Sequence, residues 1–188
     1  QLHEQVARAA AGLRRLGVGP GDRVAAFLPN GPEAVIGMLA TTSLGAIWSS
    51  CSPDFGAASV VDRFGQIAPK VLIATSGYAY AGRRIDTTAT VQQLTAQLPG
   101  LTAVIGVGKV PDTLSWEELT AAVAPLEFAP LPFDHPVYIL YSSGTTGPPK
   151  GIVHGAGGTL LQHLKEHLLH TDLHRDDRLF YFTTCGWM

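Results

Sequence analysis

Short apolar segments alternate with amphipathic segments along this chain, and this alternation constrains the fold more than any other feature of the sequence. Strands are predicted at residues 23–28, 46–50, 71–74, 101–107, 137–141, 152–153 and 179–182. Helices are predicted at residues 2–16, 32–44, 57–67, 87–98 and 155–170, with a short one after residue 115. Because helices between short apolar strands join parallel strands, the pattern predicts an α/β fold with a mostly parallel sheet flanked by helices.

Turn and cap signals separate these elements. Ser115 followed by Glu118 is a capping box, which predicts the start of a short helix. Four prolines between residues 125 and 136 predict an extended linker, because proline fixes φ and removes a backbone donor. Ligands bind parallel sheets at the carboxyl ends of the strands, so a binding site is expected in the loops that follow the strands.

Composition narrows the class of protein. The 188 residues are 46% hydrophobic and carry a net charge of −2, which supports a packed core and excludes nucleic-acid binding through bulk positive charge. The longest apolar stretch, residues 34–48, is too short and too polar to span a membrane. Cys51 and Cys185 form no disulfide framework, so we expect buried thiols in a reducing cytoplasm.

The segment after the strand at 137–141 combines hydroxyl side chains, glycines and one lysine. Residues 141–151 read Tyr-Ser-Ser-Gly-Thr-Thr-Gly-Pro-Pro-Lys-Gly. Glycines allow backbone N–H groups to face an anion, hydroxyls add donors, and Lys150 adds a positive charge, as binding of a polyphosphate requires. The spacing differs from a Walker A loop, and no G-x-G-x-x-G motif occurs in the chain. On composition alone, a polar turn is the alternative.

Four histidines, His163, His167, His170 and His174, recur at spacings of four, three and four on the last predicted helix. Such spacing brings imidazoles together, and a metal-binding helical domain is therefore one interpretation. The H-E-x-x-H pattern is absent, and leucines form a separate apolar face on the same helix. We therefore interpret the histidines as the polar face of an amphipathic helix and predict no metal site there.

Residues 141–151 match the signature phosphate loop of the adenylate-forming ligases at every defined position, so the chain resembles the acyl-CoA synthetase and luciferase superfamily. Residues 6–28 and 30–48 resemble the opening helices and first strand of that superfamily. A finer resemblance, to the acetoacetyl-CoA synthetase subfamily, rests on residues 49–56, 62–70, 154–167 and 183–188. The resemblance covers essentially the whole chain and is weakest between residues 77 and 132.

This resemblance implies that residues 1–188 are an incomplete N-terminal AMP-binding domain, with the C-terminal domain and its adenylation lysine outside the chain. It implies an acid–thiol ligase that activates acetoacetate to acetoacetyl-CoA through an acyl-adenylate, using ATP, Mg²⁺ and CoA. No catalytic residue is then expected within the chain, and the chain alone is expected to be inactive. An acetyl- or propionyl-type synthetase and a non-catalytic nucleotide-binding module are the alternatives.

The resemblance also implies which residues contact the substrates. Hydroxyls would donate to the ATP phosphates, glycines would allow close backbone approach, and the lysine would contact phosphate or anchor the loop. These phosphate-binding residues are Ser142, Ser143, Gly144, Thr145, Thr146, Gly147 and Lys150. Gly186 and Trp187 would lie close to the acyl pocket, and core packing is an equal interpretation for Trp187.

Overall fold

The computed structural model describes residues 1–142, 147–181, 183, 184 and 186. Its strands are β1 Arg23–Phe27, β2 Ile47–Cys51, β3 Val71–Thr75, β4 Gly77–Tyr80, β5 Arg83–Asp86, β6 Ala103–Val107, β7 Leu114–Ser115, β8 Pro136–Tyr141 and β9 Gly151–Gly155. Seven of them form one sheet in the order β7-β6-β3-β1-β2-β8-β9. Every neighbouring pair in that sheet is parallel except β8 with β9. The predicted mostly parallel α/β sheet is confirmed.

The helices pack on both faces of this sheet. They are α1 Leu2–Arg15, α2 Pro32–Ser43, α3 Ala57–Phe64, α4 Thr88–Gln97, α5 Trp116–Leu119 and α6 Ala156–Lys165, and α6 continues as a π-helical turn, Glu166–His170. The predicted capping box opens α5, where the Glu118 N–H donates to Ser115 Oγ at 3.2 Å and the Ser115 N–H donates to Glu118 Oε2 at 2.8 Å. Each predicted helix is present, with ends that differ by a few residues.

Alternate residues of the central strands face two separate cores. On β1, Val24 and Ala26 join a cluster that includes α1 and α2, whereas Ala25 and Phe27 join a cluster that includes α3 and α4. This follows from the two-residue period of a strand, whose successive side chains point to opposite faces. Burial of a side chain as large as Phe27 contributes about 1.5–3 kcal/mol to stability. The central strands of the sheet are therefore held from both sides.

Residues 121–132 contain no helix or strand. This segment, which covers most of the predicted linker, is attached to the domain: Leu126 packs on the core cluster of α1 and α2, and Glu127 pairs with Arg14 at 3.2 Å. The Ala129 N–H donates to the Ser43 carbonyl oxygen at 2.9 Å, and His135 Nε2 lies 2.8 Å from the Gly45 carbonyl oxygen. These contacts join the segment to the end of α2 before the chain enters β8.

The prediction of a strand at residues 179–182 is wrong for its described part. Leu179, Phe180 and Tyr181 have no regular secondary structure and are 58–84% exposed, and Phe182 lies outside the described residues. Aromatic residues favour strands through packing against a neighbouring strand, and no strand of the described chain pairs with these residues.

The β4–β5 hairpin was not predicted. Its turn has Ala81 at φ +48° and Gly82 at φ +74°, the left-handed pair typical of a two-residue hairpin turn. The usual sequence signal for such a turn is Asn-Gly or Asp-Gly, and Ala-Gly does not provide it. The short strand β7 was missed as well, because two residues are too few to show a period.

Candidate nucleotide-binding site

The predicted phosphate loop connects two antiparallel strands. Tyr141, the last residue of β8, pairs with Gly151, the first residue of β9. Because β1, β2 and β8 are mutually parallel through neighbouring pairs, their carboxyl ends lie at one edge of the sheet, and the loop leaves β8 at that edge. Four of the predicted phosphate-binding residues, Ser143, Gly144, Thr145 and Thr146, lie outside the described residues.

Ser142 and Lys150 close the base of this loop. The Ser142 N–H donates to the Lys150 carbonyl oxygen, and the Lys150 N–H donates to Ser142 Oγ, both at 3.1 Å. The Ser142 oxygen is thus an acceptor within the protein, while a hydroxyl can also donate its own proton. Ser142 can therefore shape the loop and still offer its proton to a phosphate oxygen.

The part of the loop that leads into β9, residues 147–150 (the outer arm), is largely exposed to solvent. Gly147 has φ +151°, a backbone region that residues with a side chain rarely adopt. The Lys150 side chain is exposed, and it forms no ion pair with any carboxylate of the described chain. An ammonium group in this position is available to an anionic ligand.

Helix α3 and the turn that follows it, residues 57–67 (the α3 segment), contact the end of β8 and the outer part of the loop. The Tyr141 hydroxyl donates to the Arg63 carbonyl oxygen at 2.7 Å, and Gln66 Nε2 donates to the Pro149 carbonyl oxygen at 2.8 Å. Burial raises the pKa of Tyr141 to about 12, so the hydroxyl is protonated at neutral pH and acts as a donor. Sequence reasoning missed both contacts, since they join positions 78 and 83 residues apart.

A cavity of about 630 Å³ lies between α3 and the loop. Its lining includes Asp62 and Gln66 on the helix side and Pro149 and Lys150 on the loop side. This volume is in the range of small-molecule sites in proteins. On its loop side the exposed Lys150 ammonium group can attract an anion, and on the opposite side Asp62 carries a carboxylate.

Of the two residues predicted to lie at the acyl pocket, Gly186 lies at the same edge of the sheet. A Cβ atom placed on Gly186 would lie 2.7 Å from the Ser50 carbonyl oxygen of β2, so only glycine allows this approach. Asn30, just after β1, donates through Nδ2 to the Thr183 carbonyl oxygen at 2.5 Å. Gly186 is thereby placed beside β2, the strand next to β8, and Trp187 lies outside the described residues.

Comparison with known proteins identifies the family. The model of the AMP-binding enzyme family matches residues 1–188. The chain belongs to the AMP-binding enzyme family. Acetoacetyl-coenzyme A synthetase of Rhizobium meliloti (strain 1021) is 52% identical over 198 residues, and acetoacetyl-CoA synthetase of Mus musculus is 47% identical over 204 residues. Both alignments cover the whole chain and 30% of the relative.

A solved structure gives the same result. The acetoacetyl-CoA synthetase from Streptomyces lividans matches with a TM-score of 0.95 and 53% identity, over 99% of this chain and 30% of that protein. The predicted resemblance to acetoacetyl-CoA synthetases is therefore confirmed. The chain spans about a third of the length of the relatives that it matches.

The four histidines of the last helix and the residues after it lie near carboxylates or near one another. His170 Nδ1 lies 2.9 Å from Glu166 Oε2, His174 Nδ1 lies 3.6 Å from Asp177 Oδ2, and the rings of His163 and His167 are 6.2 Å apart between centroids. Within the described residues, no group of three or more His, Cys, Asp or Glu side chains could hold a metal ion. All four are exposed, but so are the leucines of the same helix, and His174 lies beyond its last turn, which ends at His170.

Cys51 is a buried free thiol, as predicted, and Cys185 lies outside the described residues. Burial raises the pKa of the Cys51 thiol to about 12, against a smaller lowering by the charge of Arg63. The thiolate is the nucleophilic form of cysteine, so Cys51 is unreactive at neutral pH. The described residues also contain no helix with the length and apolarity needed to cross a bilayer.

Proposed function

We propose that this chain supplies the ATP-phosphate-binding part of an AMP-forming acid–thiol ligase that converts acetoacetate to acetoacetyl-CoA. The proposal rests on one observation. The loop of glycines, hydroxyls and Lys150 joins β8 to β9 in a chain that matches acetoacetyl-CoA synthetases along its whole length. The activity is that of the full-length protein, because the relatives are about three times longer than the region they share with this chain.

The proposed reaction has two steps. In the first, a carboxylate oxygen of acetoacetate bonds to the α-phosphorus of ATP, and the bond to the β-phosphate oxygen breaks, which releases diphosphate. In the second, the CoA thiol gives up its proton to solvent, its sulfur bonds to the acyl carbon, and AMP leaves with the bonding electron pair. Both steps depend on positioning and on offsetting negative charge rather than on a protein nucleophile.

The loop residues would act on the leaving diphosphate. Ser142, Ser143, Thr145 and Thr146 donate hydroxyl hydrogen bonds, and Gly144 and Gly147 let the backbone approach. Lys150 contributes a charge to the β- and γ-phosphates, where negative charge grows as the bond breaks. Mg²⁺ would enter as part of the MgATP substrate, bound to its phosphate oxygens.

The acyl side of the site would lie near Gly186 and Trp187, beyond the carboxyl end of β2. The close approach of Gly186 to Ser50 supports this placement, since it fixes the backbone that precedes Trp187. The buried free thiol of Cys51 supports a reducing compartment, and we place the enzyme in the cytoplasm.

The proposal is tested by exchange of radiolabelled diphosphate into ATP in the full-length protein, with acetoacetate, acetate or propionate as the acid. We expect exchange that depends on acetoacetate, followed by acetoacetyl-CoA formation when CoA is added. Exchange with acetate or propionate but not acetoacetate would overturn the substrate assignment. Nucleotide binding without acid-dependent exchange would overturn the enzyme assignment and favour a non-catalytic binding module.

A further inference from the structure

We infer that Gln66 is a positioning residue for the phosphate loop, and that it works together with the hydroxyl of Tyr141 to hold the two arms of the loop on the α3 segment, residues 57–67. This inference rests on the proposed function, because it assigns these contacts a role in binding MgATP. Neither side chain belongs to the set of residues predicted to touch phosphate. Each acts through the loop backbone.

Gln66 makes the contact on the outer arm. Its Nε2 donates to the Asp62 carbonyl oxygen at 2.7 Å and to the Pro149 carbonyl oxygen at 2.8 Å. The two N–H bonds of the amide group thus bridge α3 and the loop, a role that an acceptor-only carboxylate could not fill. Pro149 directly precedes Lys150, so the contact sets the position of the residue that carries the charge.

Tyr141 makes the contact on the inner arm, which is the end of β8 from which the loop leaves. Its hydroxyl donates to the Arg63 carbonyl oxygen at 2.7 Å, one turn before Gln66 on the same helical segment. Tyr141 precedes the loop and Pro149 lies near its end, so one structural element holds both arms. The hydrogen bonds between Ser142 and Lys150 then close the base between these two fixed points.

The element that carries both contacts is itself held firmly. Val60 and Phe64 of α3 are fully buried. The Arg63 guanidinium donates to Ser59 Oγ at 2.6 Å and lies over the Phe55 ring, 4.9 Å from its centroid. A loop tied to such an element loses less conformational freedom when MgATP binds, and its affinity for MgATP is correspondingly higher.

A purely structural role predicts a different result from a positioning role. If the Gln66 contact only stabilised the fold, its loss would lower the unfolding midpoint and leave MgATP binding unchanged. If it positions the loop, its loss weakens MgATP binding while the unfolding midpoint and the KM for acetoacetate stay the same. Gln66 is solvent-exposed, so the cost to folding is expected to be small.

The test compares Gln66→Met with Gln93→Met in the full-length protein. Methionine keeps the length of glutamine and removes its donors, and Gln93 is an exposed glutamine of α4, remote from the loop in the sequence. We expect Gln66→Met to raise the Kd and KM for MgATP about fivefold to tenfold, the effect of one lost hydrogen bond. Gln93→Met is expected to match wild type. Tyr141→Phe, which keeps the ring and removes only the hydroxyl, should shift the same constants in the same direction.

The outcomes separate this inference from the proposed function. If Gln66→Met and Tyr141→Phe both bind MgATP within twofold of Gln93→Met, the positioning role is overturned, whether or not the wild type is active. If the wild type shows no acetoacetate-dependent exchange, the proposed function fails, and the Kd values for MgATP still decide the positioning role. A drop in unfolding midpoint without a change in Kd assigns the contact to folding and also overturns it.

Discussion

Individual side chains of the phosphate loop have different roles, which their residue types alone do not predict. Ser142 accepts a hydrogen bond from the Lys150 N–H and so shapes the loop from within. The Lys150 side chain is exposed and unpaired with any described carboxylate. Ser142 therefore has a structural role in the absence of ligand, whereas the Lys150 side chain gains a role only when an anion binds.

Lys150→Ala is expected to weaken MgATP binding and leave folding intact. A charge-assisted hydrogen bond is worth about 1.5–3 kcal/mol, so we expect the KM for MgATP to rise about 10-fold to 100-fold. The unfolding midpoint should not change, because the ammonium group supports no ion pair in the described structure. Lys109→Ala removes another exposed lysine and should match wild type. Kinetics of the full-length variant that match wild type would contradict the assignment of Lys150 to phosphate.

Gly186→Ala tests the proposed position of the acyl pocket. A Cβ atom there would lie 2.7 Å from the Ser50 carbonyl oxygen, so the backbone before Trp187 must move. We expect the KM for acetoacetate to rise about tenfold, as for a loss of about 1.4 kcal/mol, with the KM for MgATP nearly unchanged. Gly158→Ala is the control, since nothing lies within 4 Å of a Cβ atom at that position. Equal effects of the two variants on the KM for acetoacetate would remove Gly186 from the acyl site.

Between elements, a few long-range contacts fix how strands and helices meet. Lys70, at the start of β3, forms an ion pair with Asp22 at 2.8 Å and also donates to the Gly17 carbonyl oxygen at 2.5 Å. The Gly19 N–H donates to the same Asp22 carboxylate at 3.0 Å. The turn between α1 and β1 is thereby tied to the start of β3, the strand that pairs with β1.

Asp22 should give the chain an acid-sensitive component of stability. Burial raises the pKa of Asp22, but hydrogen bonds from Lys70 and Gly19 and the charges of Lys70 and Arg23 outweigh it, so its pKa lies below the ordinary value. A carboxylate whose pKa is lower in the folded state stabilises the fold above its unfolded pKa of about 3.9, and that stabilisation is lost as pH falls through the folded pKa.

Asp22→Asn is therefore expected to lower stability near pH 7 by about 1 kcal/mol. The difference between variant and wild type should shrink as pH falls below about 4, because the Asp22 carboxylate of the unfolded wild type takes up a proton there, whereas the folded carboxylate does so only at lower pH. Urea denaturation from pH 3 to pH 7 measures both effects. Asp54→Asn changes an exposed carboxylate and serves as the control. A difference that is constant across this pH range would contradict the role assigned to the Asp22 charge.

At the scale of the whole molecule, burial is unevenly distributed. The central strands β1 and β3 lie between two helical layers and are buried on both faces. At the opposite extreme, β9 begins with three exposed residues and α6 has no buried residue. Five leucines on and after α6 are 45–76% exposed: Leu160, Leu161, Leu164, Leu168 and Leu169.

Hydrogen exchange should follow this distribution in the 188-residue chain. Amides that open only by global unfolding exchange slowest, whereas those in segments with few buried contacts exchange by local opening. We expect the β1 and β3 amides to be the slowest and the α6 amides to be faster by at least about tenfold. Exchange rates corrected for intrinsic chemistry and followed by mass spectrometry give the comparison. Equal protection of α6 and β3 would show that local burial does not control opening here.

The elements that depend on nearby residues could be read from the sequence. The helices and the longer strands of the main sheet follow from local periodicity, the capping box at Ser115 and Glu118 from a three-residue spacing, and the phosphate loop from the order of eleven adjacent residues. Short-range sterics and hydrogen bonding decide these features, so a local pattern is enough.

Other features depend on contacts between residues that are far apart in the sequence and meet only in the folded chain. The contacts of Gln66 with Pro149 and of Asn30 with Thr183 join positions 83 and 153 residues apart. The exposed conformation of residues 179–181 and the exposed leucines of α6 depend on which neighbours are present, not on the propensity of the residues themselves. Local sequence therefore established the α/β elements and the loop chemistry. Only the tertiary structure decided how the loop is held, because that depends on distances between elements that no local pattern encodes.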